Sequence, residues 1–136
     1  MREKSIKKYT FNEDIAIEVG FEESVMFSNL YFWIGKNTGK EDHFHEGKYW
    51  MYCTVREFTD IYPFWSGAQI KRILKNLKDK DYIETGEFNK WNPDRTKWYT
   101  ISQKGLLVMQ NSKALVENEN SRMVKNDSAI PYTYTR

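Results

Sequence analysis

Polar and basic side chains between Ser66 and Lys80 have the types and spacing of a surface that could read DNA. Glutamine can bind adenine and arginine can bind guanine through two hydrogen bonds each, whereas lysine binds phosphates through its charge. Seven residues of this stretch are candidate contacts: Ser66, Gln69, Lys71, Arg72, Lys75, Asn76 and Lys78. We expect Ser66, Gln69 and Arg72 to contact bases and the lysines to contact phosphates. The alternative is an ordinary solvated helix face.

The element that must position these side chains is an amphipathic helix predicted from Ser66 to Lys80. Its apolar residues recur at helical spacing and form one stripe: Ile70, Ile73, Leu74 and Leu77. Ser66 and Gln69 have the spacing of a capping box, which predicts where the helix begins. Asp81 follows as a residue type that tolerates the left-handed conformation of a helix stop.

A hairpin with a charged tip is predicted directly after this helix. Two runs rich in β-branched and aromatic residues, Tyr82 to Phe88 and Arg95 to Ile101, predict its strands, and Asn89 to Pro93 predicts its turn. The candidate DNA contacts of this hairpin, the wing, are Lys90, Trp91, Arg95 and Lys97. For Arg95 a second role is open, because it can pair with the adjacent Asp94 and brace the turn.

A shorter helix is predicted upstream of the basic helix. Thr54 and Glu57 form a second capping box, and Pro63 ends the helix, so that Tyr62 to Trp65 becomes a turn. Two helices joined by a short turn, the second of them basic, are typical of a DNA-binding helix-turn-helix. We therefore predict an α+β winged helix-turn-helix, mostly helical, with a small antiparallel sheet made of the wing hairpin and a short third strand, Lys48 to Tyr52.

Three regions are predicted along the chain: a basic amino-terminal arm at 1–10, the winged helix-turn-helix domain at 11–111, and a polar, flexible tail at 112–136. Within the domain, a long aromatic helix is expected between Glu22 and Asn37. Its predicted buried side comprises Met26, Leu30, Trp33 and Ile34, widened by Val25, Phe27, Tyr31 and Phe32. A final apolar helix from Ser102 to about Asn111 could pack on this long helix or form a homodimer.

Composition narrows the class of protein. The chain has 136 residues and a net charge of +2, but Ser66 to Lys104 contains nine Lys and Arg against five Asp and Glu. No apolar run approaches the roughly 20 residues of a membrane span, and the charged amino terminus does not resemble a signal peptide, so we expect a cytoplasmic protein without a membrane partner. Cys53 is the only cysteine, which excludes an intramolecular disulfide and a cysteine-based zinc site.

Catalytic chemistry has no support in the sequence. It contains no glycine-rich phosphate loop and no recognisable nucleophile with a base, so we expect no enzyme, no catalytic residue and no cofactor. His43 and His45 could hold a metal together with a neighbouring carboxylate, but no further histidine or cysteine cluster would complete a tetrahedral site. We therefore expect no metal.

Several motifs occur in an order that resembles one family of winged-helix proteins. These motifs are Phe11-Asn12-x-x-Ile15-Ala16, Tyr31-Phe32-Trp33-Ile34-x-Lys36-Asn37, Gly47-Lys48-Tyr49-Trp50, Ile83-x-Thr85-Gly86-x-Phe88-Asn89 and Asp94-Arg95-Thr96-x-Trp98-Tyr99. The family comprises the amino-terminal domains of phage replication proteins, of the replisome-organiser or DnaD-like type, in Firmicutes and their phages. The resemblance covers roughly Phe11 to Leu107.

This resemblance implies a double-stranded DNA-binding protein of phage, prophage or bacterial origin that acts in replication initiation or transcriptional regulation in a bacterial host cell. In longer relatives a carboxy-terminal region recruits other replication proteins. This chain has only a short tail after the domain, through which it could contact a replication or host protein. A second class of function stays open: a phage-encoded inhibitor or adaptor that binds a protein through a winged-helix scaffold.

Overall fold

The chain folds into helices and two small antiparallel sheets, which confirms the predicted α+β class. The computed structural model describes residues 7–91 and 96–111. The helices are α1 (Glu13–Glu18), α2 (Phe21–Lys36), α3 (Val55–Ile61) and α4 (Gly67–Asp79). The strands are β1 (Phe44–His45), β2 (Lys48–Tyr49), β3 (Met51–Cys53), β4 (Ile83–Gly86) and β5 (Lys97–Ile101), and a short 3-10 turn, Glu41–His43, precedes β1.

Local capping determines where α3 and α4 begin and where α4 ends. In α4, the Gln69 N–H donates to Ser66 Oγ at 3.2 Å, and Ser66 N–H donates to Gln69 Oε1 at 2.8 Å. Thr54 and Glu57 form the same reciprocal pair at the start of α3. Asp81, just beyond α4, has the left-handed conformation predicted for it, with φ of 64°. Both capping boxes and this helix stop are therefore confirmed.

The core forms where α4 meets α2, α3 and the larger sheet. All four residues of the predicted α4 stripe are buried, namely Ile70, Ile73, Leu74 and Leu77. Ile83 and Ile101 are buried as well and lie opposite each other on neighbouring strands. Burial of each such side chain contributes about 1.5–3 kcal/mol relative to exposure, so this stripe fixes the rotation of α4 about its own axis.

The larger sheet has the strand order β3-β5-β4, with both pairs antiparallel. The third strand is therefore present, but its predicted bounds, Lys48 to Tyr52, are wrong. Lys48 and Tyr49 form β2, which pairs with β1, and only Met51 to Cys53 pairs with β5. The hairpin strands are likewise shorter than predicted, because the ladder of β4 and β5 ends at the pair of Gly86 and Trp98.

Both faces of the larger sheet are covered. Trp98 and Tyr99 are neighbours in β5, so their side chains point to opposite faces of the sheet, and one ring is expected to be exposed to solvent. Both are buried, however, with Trp98 only 6% and Tyr99 only 4% exposed. Tyr99 faces the helices, where its ring meets Phe58 at 5.7 Å between centroids. Trp98 lies on the opposite face, beneath His45 at 5.0 Å between ring centroids. The polar segment before β3 therefore covers the second sheet face.

The long helix α2 is buried over only half of its length. Val25, Met26, Phe27 and Leu30 are buried as predicted. The expectation that the aromatic residues of its carboxyl half are also buried is wrong for the described residues, since Tyr31, Phe32 and Trp33 are 38%, 52% and 41% exposed and Ile34 is partly exposed. The polar contacts of α2 with α4 and with Tyr62 come from its first three turns.

One compact unit of the chain ends at Gly105, and a second begins at Leu106. Residues 103–111 are helical, as predicted for the final helix. The predicted tail at 112–136 and most of the predicted arm at 1–10 lie outside the described residues, and the three predicted regions stay predictions. Among the described helices, none combines the length and the apolar composition that crossing a bilayer requires.

Two glycines allow a direct test of close packing. A Cβ at Gly105 would lie 2.7 Å from the Tyr82 carbonyl oxygen and 2.8 Å from Ile101, whereas a Cβ at Gly35 would meet no heavy atom within 4 Å. We expect Gly105→Ala to lower the free energy of unfolding by about 1–3 kcal/mol because a backbone atom must move. Gly35→Ala should raise it by about 0.5–1 kcal/mol through helix propensity.

Urea unfolding followed by circular dichroism measures both changes, and each variant serves as the control for the other. If Gly105→Ala stabilised the protein as much as Gly35→Ala, the close approach of residue 105 to Tyr82 would be absent in solution.

Candidate functional site

A groove lies between α4 and the larger sheet, and we call it the lysine groove. Its volume is about 620 Å³. It is lined by residues from the start of α3, from one side of α4 and from the strand ends: Cys53, Thr54, Val55, Lys71, Leu74, Lys75, Lys78, Thr85, Thr96, Lys97 and Tyr99. None of these residues is acidic, so the groove carries positive charge only.

Four ammonium groups line the groove on two sides. Lys71, Lys75 and Lys78 follow the i, i+4, i+7 spacing that places side chains on one side of a helix. Lys97 reaches the groove from β5 on the opposite side. Lys75 pairs with Asp79 at 2.7 Å, whereas Lys71, Lys78 and Lys97 form no ion pair among the described residues. Positive charge in this groove is therefore only partly neutralised.

The floor of the groove is apolar and uncharged. Cys53, Leu74 and Tyr99 are buried beneath the lysines. Burial raises the pKa of the Cys53 thiol to about 12, with a smaller contribution from Glu57, and burial also raises the pKa of the Tyr99 phenol to about 12. Both groups are consequently neutral at pH 7. Thr85 adds a hydroxyl group beside this floor, whereas the Thr54 hydroxyl already serves the capping box of α3.

Arg72 and Asn76 lie on the opposite flank of α4, away from the groove. Arg72 Nη2 pairs with Glu22 Oε1 at 2.9 Å, and Asn76 Nδ2 donates to Glu23 Oε2 at 2.8 Å. Glu23 is buried, so its bond with Asn76 belongs to the contact between α2 and α4. The structure therefore separates these two candidates from the lysines that the sequence grouped with them.

Ser66 and Gln69 have side chains that already serve the capping box of α4. Two hydrogen bonds from Gln69 to adenine require both its Oε1 and its Nε2, but Oε1 accepts from Ser66 N–H. The amide nitrogen remains available for one contact with a ligand. Their assignment as base readers stays a prediction, and for Gln69 it competes with the cap.

The four candidate DNA contacts of the wing differ in their surroundings. Lys97 lines the lysine groove. Lys90 and Trp91, which belong to the predicted turn, are exposed, Trp91 to 69%. Arg95 lies outside the described residues, so neither of its two predicted roles is tested.

His43 and His45 are positioned by an aromatic cluster. His43 stacks on Tyr52 with ring centroids 5.4 Å apart, and His45 stacks on Phe88 at 4.4 Å. Each imidazole also has a backbone oxygen within 3.2 Å, that of Trp50 for His43 and that of Asp42 for His45. Within the described residues, no group of three or more potential ligands is arranged to hold a metal ion.

The sequence analysis did not identify the residues that form the floor of the groove. It also treated the polar residues of α4 as one group, although they lie on two flanks with different partners. A helical projection contains the signal for the flanks, because successive residues are about 100° apart and Lys71, Lys75 and Lys78 fall on one side of the apolar stripe. Arg72 and Asn76 fall on the other side. No comparable signal exists for Cys53, Thr85 and Thr96, since their approach to α4 depends on how the strands pack.

Comparison of the chain with protein-family models, with curated proteins and with solved structures finds no significant match.

The two flanks of α4 should respond differently to substitution. We expect Asn76→Ala to lower the free energy of unfolding by about 1–3 kcal/mol, because the buried Glu23 carboxylate loses a donor. Lys78→Ala, on the groove side, should change it by less than about 0.5 kcal/mol. Urea unfolding at neutral pH measures both values. Equal effects of the two substitutions would contradict a structural role for the Asn76 flank.

Proposed function

We propose that this chain is a double-stranded DNA-binding protein with a winged helix-turn-helix fold. The observation that carries the proposal is the lysine groove, in which four lysines and no acidic residue line the space between α4 and the sheet. A concave surface with one sign of charge attracts a polyanion and increases its local concentration. The wing hairpin and the groove side of α4 would then contact DNA together.

The order and pairing of the elements support the fold assignment. Helices α3 and α4 are separated by the short turn 62–66 and are followed by the hairpin of β4 and β5. The strand that precedes α3, β3, joins the same sheet beside β5. A winged helix-turn-helix has its elements in this order, and the second helix of its pair enters the major groove of DNA.

The proposed contacts fall into two groups. Lys71, Lys75, Lys78 and Lys97 bind phosphates and release the counterions condensed on them, which contributes affinity without sequence preference. The exposed tip of the wing, with Lys90 and Trp91, contacts the adjacent backbone. Ser66, Gln69 and Arg72 at the exposed side of α4 are the base contacts of this proposal.

Arg72 can serve as a base contact only after its pair with Glu22 opens. Both side chains are largely exposed, at 54% and 37%. Exposed ion pairs typically contribute less than about 1 kcal/mol, so exchange of Glu22 for a guanine costs little. Glu22 then holds Arg72 in a defined place while DNA is absent.

A second candidate function is a protein-binding inhibitor or adaptor. Exposed aromatic side chains on the carboxyl half of α2, namely Tyr31, Phe32 and Trp33, favour it. Tyrosine, tryptophan and phenylalanine are enriched at the centres of protein interfaces, and contiguous exposed apolar patches mark interaction sites. Both activities can coexist, since α2 does not line the lysine groove.

For the DNA-binding function, the family resemblance supports a role in replication initiation or transcriptional regulation.

A salt series of DNA binding tests the main proposal. We expect the affinity for a labelled duplex to fall steeply as the KCl concentration rises, with counterions released from the phosphates. The double substitution Lys71→Ala with Lys78→Ala should reduce the slope of log K against log salt by roughly 0.9 for each phosphate that is no longer bound. Fluorescence anisotropy gives both the affinity and the slope.

A matched control removes the same charge elsewhere. Lys36, whose Nζ lies 5.0 Å from the centre of the Phe32 ring, and the exposed Lys40 do not line the groove. Lys36→Ala with Lys40→Ala should leave the slope nearly unchanged. Equal slopes for the two double variants would show that net charge, not the groove, governs binding. No binding of the native chain at low salt would exclude the DNA proposal.

A further inference from the structure

We propose that the lysine groove accommodates a single unstacked nucleotide of a DNA strand, with its base against the apolar floor and its phosphates at the lysines. This inference rests on the proposed DNA-binding function and assigns a ligand to one part of that surface. It predicts a preference for DNA that contains an unpaired nucleotide over an uninterrupted duplex.

The size of the groove supports this assignment. Contacts with phosphates alone need only a charged surface, whereas this surface forms an open groove with a volume of about 620 Å³. Sites for small organic ligands typically have volumes of about 300–1,000 Å³. The space therefore exceeds what lysine contacts to a strand require and is large enough to hold a base with its sugar.

The chemistry of the lining also matches a nucleotide. Lys71 and Lys78 on one side, and Lys97 on the other, form no ion pair among the described residues and are available to anionic oxygens. Val55, Leu74 and the small exposed part of Tyr99 provide apolar surface between them, against which a base can pack. Positive edges around an uncharged floor complement a phosphate joined to a planar base.

Thr85 of β4 stands beside the floor of the groove. Thr85 lies opposite Tyr99 in the ladder of β4 and β5, and both line the groove. Threonine is a small side chain that leaves room in the groove beside the mostly buried Tyr99, which is 4% exposed. A large side chain at residue 85 would occupy that space without removing any of the four lysines.

The first experiment compares two DNAs with the native chain. One is a labelled duplex, and the other is the same duplex with one unpaired thymine at its centre. An unpaired base has no pairing to lose when it leaves the stack, so its insertion is less costly than that of a paired base. We expect about tenfold tighter binding of the interrupted duplex at the same salt concentration, measured by fluorescence anisotropy.

Two substitutions at residue 85 locate the effect. Thr85→Phe should reduce the preference for the unpaired nucleotide to less than about twofold, because the phenylalanine ring would occupy the part of the groove that the base needs. Thr85→Val preserves the shape of the side chain and should retain the preference. Circular dichroism and thermal unfolding establish whether both variants are folded. If a variant does not fold, the comparison of the two DNAs with the native chain still tests the inference.

Free thymidine monophosphate separates a nucleotide site from a site that recognises strand shape. As a competitor it should abolish the preference for the interrupted duplex, and thymidine, which lacks the phosphate, should be much weaker. Competition by the nucleotide supports the assignment. A lack of competition at concentrations that saturate weak nucleotide sites would overturn it in favour of recognition of bent DNA.

Two other results would also overturn the inference. Equal affinity for both DNAs would remove the nucleotide assignment but leave the proposed DNA-binding function intact. Binding of an acidic peptide that Thr85→Phe abolishes, together with equal affinity for both DNAs, would assign the groove to a protein partner. Failure of the native chain to bind either DNA at low salt would instead contradict the proposed function itself.

Discussion

Burial of the apolar stripe on α4 is the constraint on which the rest of the structure depends. Ile70, Ile73, Leu74 and Leu77 are packed against α2, α3 and the sheet, and their combined burial contributes several kcal/mol. Rotation of α4 about its axis would expose this stripe. The helix is therefore held in one orientation, and each of its polar side chains has a defined direction.

This orientation divides the polar residues of α4 into two groups with different roles. On one flank Arg72 and Asn76 bind the carboxylates of Glu22 and Glu23, and thereby join α4 to α2. On the other flank Lys71 and Lys78 have no carboxylate partner among the described residues and face Lys97 across the groove. The polar contacts on the first flank strengthen the packing of α4 on α2. The lysine charges on the second flank are available to an anionic partner.

Aromatic packing on the far face of the sheet supports the groove indirectly. Trp98 is enclosed by His43, His45, Tyr52 and Phe88, with ring centroids 4.7–6.0 Å apart. Its indole N–H also donates to Asn89 Oδ1 at 2.8 Å. Trp98 is thus held from the far face, and this holds β5 in place. Because Lys97 and Tyr99 flank Trp98 on the same strand, this packing also fixes one wall and the floor of the groove.

The sequence by itself determined the helices α3 and α4, their capping boxes, the α4 stripe and the existence of the hairpin, because capping, periodicity and β propensity are local properties. The exposure of Tyr31, Phe32 and Trp33, the burial of both Trp98 and Tyr99, and the pairing of β3 with β5 were decided only by the tertiary structure. The same holds for the groove, in which Cys53, Leu74, Thr85 and Lys97 converge from distant parts of the chain. Such convergence depends on how whole elements pack, and the local pattern of any one segment does not contain it.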